Sequence, residues 1–206
     1  MLTREFFPRP VLEVAPDLLG CVLWHGPVGL RLTEVEAYAG QRDPGSHAFR
    51  GPTPRTEVMF GEAGHLYVYL SYGMHHAVNV VCGPIGEASA VLLRAGEVVA
   101  GHDQVAERRS GIRPRDLARG PGRLTKALGL DLGHHHGLDL LDPAAAVRLV
   151  PGTLDPEAGM IRTGPRVGVS GPGGDGDRFP WRYWLANEPT VSAYRPAVVR
   201  RRPPRL

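Results

Sequence analysis

Residues 67–82, Y-V-Y-L-S-Y-G-M-H-H-A-V-N-V-V-C, decide how the middle of this chain is read. Tyr67, Val68, Tyr69 and Leu70 read as a strand, Ser71 to Gly73 as a turn, and Ala77 to Cys82 as the returning strand. The result is a β-hairpin with Tyr72 at or near its tip. Turn tips face water and usually carry small or polar residues. A large, mostly apolar ring at that point calls for an explanation.

The hairpin has more sheet on both sides. Toward the N-terminus, C-V-L-W-H-G (21–26) and G-L-R-L-T-E-V-E-A-Y (29–38) read as two strands joined by a Gly-Pro turn. Between them and the hairpin lies Q-R-D-P-G-S-H-A-F-R-G-P-T-P-R-T (41–56), a polar stretch without periodicity. Loops of that length within a domain are more often functional than connecting. Val11, Leu12, Val14, Leu18 and Leu19 have roughly helical spacing closed by Gly20, with Pro16 marking a break. Beyond the hairpin, A-S-A-V-L-L-R-A-G-E-V (88–98) is a further strand. A Gly-Pro-Gly turn then opens the helix R-L-T-K-A-L-G-L (123–130). A-V-R-L-V (146–150) and R-V-G-V-S (166–170) read as strands, followed by the aromatic segment F-P-W-R-Y-W-L-A-N (179–187). There is no internal repeat and no linker, so residues 1–198 are expected to form one domain. The basic tail, 199–206, is expected to be disordered.

The 206 residues suffice for one domain with a substantial core. Gly 27 and Pro 20 together make about 23% of the chain, which favours turns and loops over a helical bundle. No apolar run approaches the ~20 residues of a membrane span. The N-terminal M-L-T-R-E-F-F-P-R-P has no apolar segment followed by a cleavage site, so no secretion signal is expected, and two cysteines make neither a disulfide framework nor a zinc site. A cytoplasmic location is therefore expected. Net charge is +3, yet 23 of the 24 basic residues are Arg, the other being Lys126. Six arginines fall in 107–123 and four in 200–205, clusters able to pair with phosphates or to serve as solvated faces.

Strand alternation puts Leu32, Glu34, Glu36 and Tyr38 on one face of 29–38. Two carboxylates and a ring make a poor core. They are either a solvent-facing edge or a carboxylate pocket in which one Glu is a general base. Paired carboxylates also suggest glycoside chemistry. Asn79, inside an apolar strand, is either a structural amide or one that reads a ligand edge. Arg94 ends the apolar run V-L-L as a snorkelling charge or an anion clamp. The run His134–His136 and the pair His75–His76 lack metal-ligand spacing. The G-P-G turns lack the strand-to-helix context of a phosphate-binding loop.

E-V-E-A-Y, His47, T-P-R-T-E-V-M-F, L-Y-V-Y-L-S-Y-G-M, N-V-V-C, V-L-L-R-A and A-R-G-P-G-R-L-T-K-A-L-G-L, taken in order, resemble the alkyladenine (3-methyladenine) DNA glycosylases. The likeness runs from Phe6 to about Ser192. The resemblance implies a mixed α/β domain with a curved antiparallel sheet, surrounding helices and a protruding DNA-intercalating hairpin. It implies a monofunctional enzyme that flips a damaged purine from duplex DNA and hydrolyses its bond to deoxyribose. In that reading Glu36 is the catalytic base with Arg94 beside it, and Glu34 is not catalytic. Tyr38, His47 and Tyr69 sandwich the base, and Asn79 excludes guanine. Tyr72 is the wedge, which accounts for a ring at a turn tip, and Arg123 is a backbone contact. No metal or organic cofactor is implied. The expected partner is damaged double-stranded DNA, bound by a monomer located in the cytoplasm and, in a bacterium, at the nucleoid. Two departures stand out: a segment between Asn79 and Arg94 about two residues longer than in familiar members, and His75–His76 where apolar residues are usual. A non-catalytic damage binder and a carbohydrate glycosidase are the rival readings.

Overall fold

The computed structural model describes residues 2–71, 73–152 and 160–197. Helix α1 (Val11–Asp17) buries Val11, Val14 and Ala15 at the i, i+3, i+4 spacing that makes one apolar stripe. Pro16 does not break it in the middle. It sits one residue from the end, so it forfeits a single i→i−4 bond and leaves no long helical stretch beyond it to be kinked, and the chain turns away at Leu18.

The two N-terminal strands form as read: β1 (Val22–His25) and β2 (Val28–Tyr38). The quoted hairpin becomes β3 (Leu66–Ser71) and β4 (His75–Val81), antiparallel, with Ser71 opposite His75. Gly73, at φ +68, takes the left-handed conformation the tight return needs. Tyr72 lies outside the described residues. β5 (Ala90–Ala100), β6 (Val147–Val150), β7 (Ile161–Gly164) and β8 (Arg182–Leu185) complete, among the described residues, one open antiparallel sheet of eight strands. Its order is β3-β4-β5-β2-β1-β6, with β8 pairing both β2 and β7.

This topology decides the fate of the two glutamates. β2 is flanked along Glu34–Glu36 by β5 on one side and β8 on the other, so that half of it is central. Glu34 and Glu36 are both 0% exposed, and the solvent-facing edge is excluded. The alternation also shifts. Thr33 has no partner in β5 between the Leu32 and Glu34 pairings, and Arg94 is skipped between Glu34 and Val35. An extra residue of this kind changes which residues face inward. Leu30 and Leu32 therefore join Val35 and Ala37 in the hydrophobic core, and Leu32 does not share the face of Glu34 and Glu36.

Among the described residues four helices cover the sheet: α1, α2 (His102–Arg108), α3 (Pro121–Leu128) and α4 (Leu132–His135). α3 starts at a proline and stops before Gly129, the usual asymmetry of helix ends. It packs on β4 and β5, and Thr125 Oγ1 donates to the His76 carbonyl at 2.6 Å, tying the helix to the hairpin. The expected strand at 166–170 is not one. Pro165 follows β7 without an N–H to donate, and Val167 gives its N–H to a side chain rather than to a neighbouring strand. The basic tail falls outside the described residues.

Candidate active site

The bulge that carries Arg94 turns its guanidinium onto the carboxylate face of β2. Nε donates to Glu34 Oε1 at 2.8 Å, and Nη1 lies 3.3 Å from Glu36 Oε2. Glu34 is saturated: Oε1 also accepts from Arg182 Nε (2.7 Å) and Ser192 Oγ (2.9 Å), and Oε2 from the Ser192 N–H (2.7 Å). Burial opposes its charge, but Arg94 and Arg182 outweigh that and hold its carboxyl below the usual range. Burial likewise opposes the charge of Arg94, and the two glutamates, Glu36 foremost, raise its pKa in return.

Glu36 is held differently. Oε1 accepts from the Val167 N–H at 2.7 Å and Oε2 from the Tyr38 hydroxyl at 2.8 Å. Burial first, and the Glu36 charge second, raise the Tyr38 pKa well above its ordinary value, so the phenol stays a donor. Tyr38, Arg94 and Val167 line the floor of a cleft of about 660 Å³, within the size range of small-ligand sites.

The opposite wall comes from the hairpin and the 41–56 loop. Tyr67 and Tyr69 stack at 5.5 Å between centroids, and His47 meets Tyr69 edge-on at 4.6 Å. His47 Nδ1 lies 3.0 Å from the Tyr67 hydroxyl. His47 is solvent-exposed as a residue, though its imidazole packs against Tyr67 and Tyr69. That burial, then the charge of Arg55, pushes its imidazole down to about 4, so it is neutral at pH 7. Burial pushes the Tyr69 phenol up to about 12. Asn79 sits across the strand pair from Tyr67, and its Nδ2 donates to the Tyr67 carbonyl at 2.9 Å. Its Oδ1 accepts no bond among the described residues, and the residue lines the cleft.

The chain matches a family model described as methylpurine-DNA glycosylase over residues 5–189. Relatives assigned by name as 3-methyladenine DNA glycosylases extend that match. One from Streptomyces avermitilis is 55% identical, covering 98% of this chain and 95% of its own. One from Leifsonia xyli is 56% identical over 93% and 92%, and one from Frankia casuarinae 54% identical over 93% and 92%. The chain belongs to the methylpurine-DNA glycosylase family.

Of the residues singled out for this glycosylase-family chain, Arg94, Tyr38, His47, Tyr69 and Asn79 line one cleft, and Glu36 lies buried behind it, held by Tyr38, Val167 and Arg94. Arg123 lies apart, half-exposed at the start of α3. It lines an adjoining groove with Arg109, Arg119, Lys126, His75 and His76, and its Nη1 is 3.9 Å from Asp116 Oδ1. The groove and the cleft share Ser71, the last residue before Tyr72, as well as Arg94.

Sequence reasoning missed the clasp behind the cleft. Arg166 and Asp43, both 0% exposed in their side chains, pair through both terminal nitrogens at 2.5 and 2.7 Å. Arg166 also donates to the carbonyls of Ala37 and Gly173, and its guanidinium carbon lies 4.5 Å over the Tyr38 ring. A Cβ on Gly45 would come within 2.5 Å of Arg166 Nη2, so only glycine lets the loop close on it. One cation thus fixes the end of β2, the loop leading to His47, and the segment that delivers Val167. Asp43 and Arg166 stand 123 residues apart, and nothing local signals the pairing.

The histidine run serves structure. Asp131 caps α4 through the His134 N–H. His135 is buried, with Nε2 3.4 Å from His25 Nε2, while His25 Nδ1 lies 2.8 Å from the Leu128 carbonyl. His136 Nδ1 accepts from the Val68 N–H. Among the described residues no group of three His, Cys, Asp or Glu could hold a metal ion. No described helix is long and apolar enough to cross a membrane.

Proposed function

We propose that this chain is a DNA repair glycosylase that extrudes a damaged purine from duplex DNA and hydrolyses its N-glycosidic bond, leaving an abasic site. C1′ is out of reach inside the base stack, so the nucleotide must be flipped at a cost of a few kcal/mol. Tyr72, between Ser71 and Gly73 at the hairpin return, is the ring that fills the vacated space. The freed base slides between Tyr38 on one side and His47 with Tyr69 on the other. Stacked rings suit electron-poor alkylated or deaminated purines such as 3-methyladenine, hypoxanthine and ethenoadenine. Asn79 turns its unbonded Oδ1 toward the purine edge and disfavours guanine. Arg123 and its groove take the phosphates.

Glu36 orients the attacking water and accepts its proton as positive charge builds at C1′, and Arg94 fixes the carboxylate. In the free protein Glu36 is sealed, so the entering nucleotide must loosen Tyr38 or Val167 for water to reach it. The observation that carries the reading is the inequality of the two carboxylates: Glu34 is saturated by two arginines and Ser192, whereas Glu36 is held by three groups that themselves line the cleft. A paired-carboxylate sugar hydrolase is disfavoured because Glu34, taken up by two arginines and Ser192, is not free to serve as the second acid or base. Alkali-revealed strand cleavage of a lesion-bearing duplex, with wild type and Glu36→Gln, tests the proposal. A general base contributes ~10²–10⁴-fold. The variant should lose release on that scale while still binding DNA. Release within threefold of wild type would remove Glu36 from the role.

A further inference from the structure

Arg55 stands at the cleft's aromatic wall. It follows Pro54 in a turn held by Thr53 and Thr56, whose backbone and hydroxyl groups bond each other at 2.9–3.0 Å. Its Nη2 lies 3.4 Å from Nδ1 and 3.5 Å from Nε2 of His47, so the guanidinium sits against the imidazole as a whole rather than on one nitrogen. Its central carbon is 5.1 Å from the Tyr69 ring centroid. The other arginines of the site face carboxylates: Arg94 and Arg182 face Glu34, and Arg166 faces Asp43. Among the described residues no carboxylate lies within ion-pairing distance of Arg55. Neutral His47 does not offset it. The wall that takes the base therefore carries one uncompensated positive charge, opposite a floor whose charges are paired.

That charge bears on which bases leave easily, an inference resting on the glycosylase reading above. As the C1′–N bond breaks, both its electrons go to the purine. The water oxygen bonds C1′ and loses its proton to Glu36. A neutral lesion base, such as hypoxanthine, departs as an anion and needs a proton or a cation near its ring. A base already cationic through ring alkylation, such as 7-methylguanine, departs neutral and gains nothing from a neighbouring guanidinium. We propose that Arg55 is a specificity-determining residue that favours excision of neutral, deaminated or etheno-type purines over cationic alkylated ones. It does so by stabilising the negative charge that develops on the departing base. Arg55 packs on His47 and Tyr69, the rings that flank the base in that reading, whereas C1′ would lie toward Glu36 behind the opposite wall, so its charge would act on the departing base more than on the oxocarbenium ion.

Single-turnover release from two duplexes, one with hypoxanthine and one with 7-methylguanine, tests this in wild type, Arg55→Gln and Arg55→Lys. Removing one preorganised donor from a buried site costs ~10²–10³-fold; an exposed, water-screened guanidinium should give less, about 10-fold. Arg55→Gln should lose about 10-fold on hypoxanthine and under ~3-fold on 7-methylguanine, and Arg55→Lys should keep most of the hypoxanthine rate. Equal losses on both duplexes would make Arg55 a phosphate contact and overturn the inference. So would no loss on either, or a wild type that releases 7-methylguanine but not hypoxanthine. A wild type that releases neither base, nor any other purine lesion, would instead overturn the glycosylase reading itself.

Discussion

Neutralising Asp43 should loosen both the fold and the cleft. The Asp43 carboxylate accepts both terminal nitrogens of Arg166, and also the N–H groups of Ala39 (3.2 Å) and Gly45 (2.8 Å). Neither side chain touches water. Arg166 keeps two carbonyl acceptors without Asp43, but no ion-pair partner, and its Nε is already buried without a partner. Leaving one member of a buried pair uncompensated costs about 3–5 kcal/mol. Asp43→Asn retains an acceptor oxygen and should fall near the lower figure; Asp43→Ala should reach the upper. For a chain of this size each kcal/mol moves Tm by roughly 2–4 °C. The expected drops are therefore about 6–12 °C for Asn and about 10–20 °C for Ala, read by calorimetry. Replacing both partners with apolar residues, Asp43→Ala with Arg166→Met, should be less damaging than the sum of the single changes, because no charge is then stranded. Excision by Asp43→Asn, measured well below its Tm, should fall about 10-fold as Tyr38 and Val167 lose their anchor, in line with the rate costs of small misplacements. A Tm shift under 2 °C with undiminished excision would refute the clasp.

Three further outcomes follow from the site and its surroundings. Asn79→Ala should raise release of guanine derivatives relative to hypoxanthine; an unchanged ratio would leave Asn79 only its bond to the Tyr67 carbonyl. Binding to duplex DNA should weaken with salt at a slope near −0.9 per phosphate neutralised, and Arg123→Gln should make that slope shallower by about one such unit; an identical slope would take Arg123 out of the interface. Acid should destabilise the fold through His135, whose pKa burial and His25 push down against the pull of Asp131. A depressed histidine favours its neutral form in the native state, so the unfolded chain takes up the proton first. The contribution is intact above the unfolded value of about 6.5 and fades as pH falls below it. His135→Gln should flatten the Tm decline between pH 7.5 and 5, and a decline of unchanged steepness would assign the acid sensitivity elsewhere.

What the chain reveals before folding depends on how local the cause is. The hairpin and β2 were legible because alternation and turn residues act within a few positions. The common face of Glu34, Glu36 and Tyr38 was legible for the same reason. Their burial was not, because it depends on β5 and β8 arriving from 56 and 148 positions downstream, the separations at which Glu36 meets Leu92 and Glu34 bonds Arg182. The bulge at Thr33 was hidden too, since an extra residue in one strand leaves no mark on composition. Residues 166–170 look like a strand by content, yet Arg166 is drawn to Asp43 and Val167 to Glu36, and these tertiary bonds outweigh β propensity. His135 could not be told from His134 or His136, because only the packing against His25 distinguishes it.

The two glutamates resolve why a paired-carboxylate motif need not mean paired chemistry. Carboxylates that share a strand face and a counter-ion start equivalent, and their surroundings divide the work. Glu34 receives four hydrogen bonds, two of them from arginines, and its carboxyl is held below its ordinary range. A group so stabilised as an anion is a poor proton acceptor. What it does well is hold Arg94 rigid, because a guanidinium fixed at Nε by one carboxylate can present its far nitrogens only in one plane. That plane brings Nη1 to Glu36. Glu36 is bonded instead by the Tyr38 hydroxyl and the Val167 amide, groups on the cleft wall that a stacked base would press against. In the proposed reaction a base filling the cleft would thus loosen the carboxylate of Glu36, while Glu34, bonded to Arg94 Nε, keeps the arginine in register.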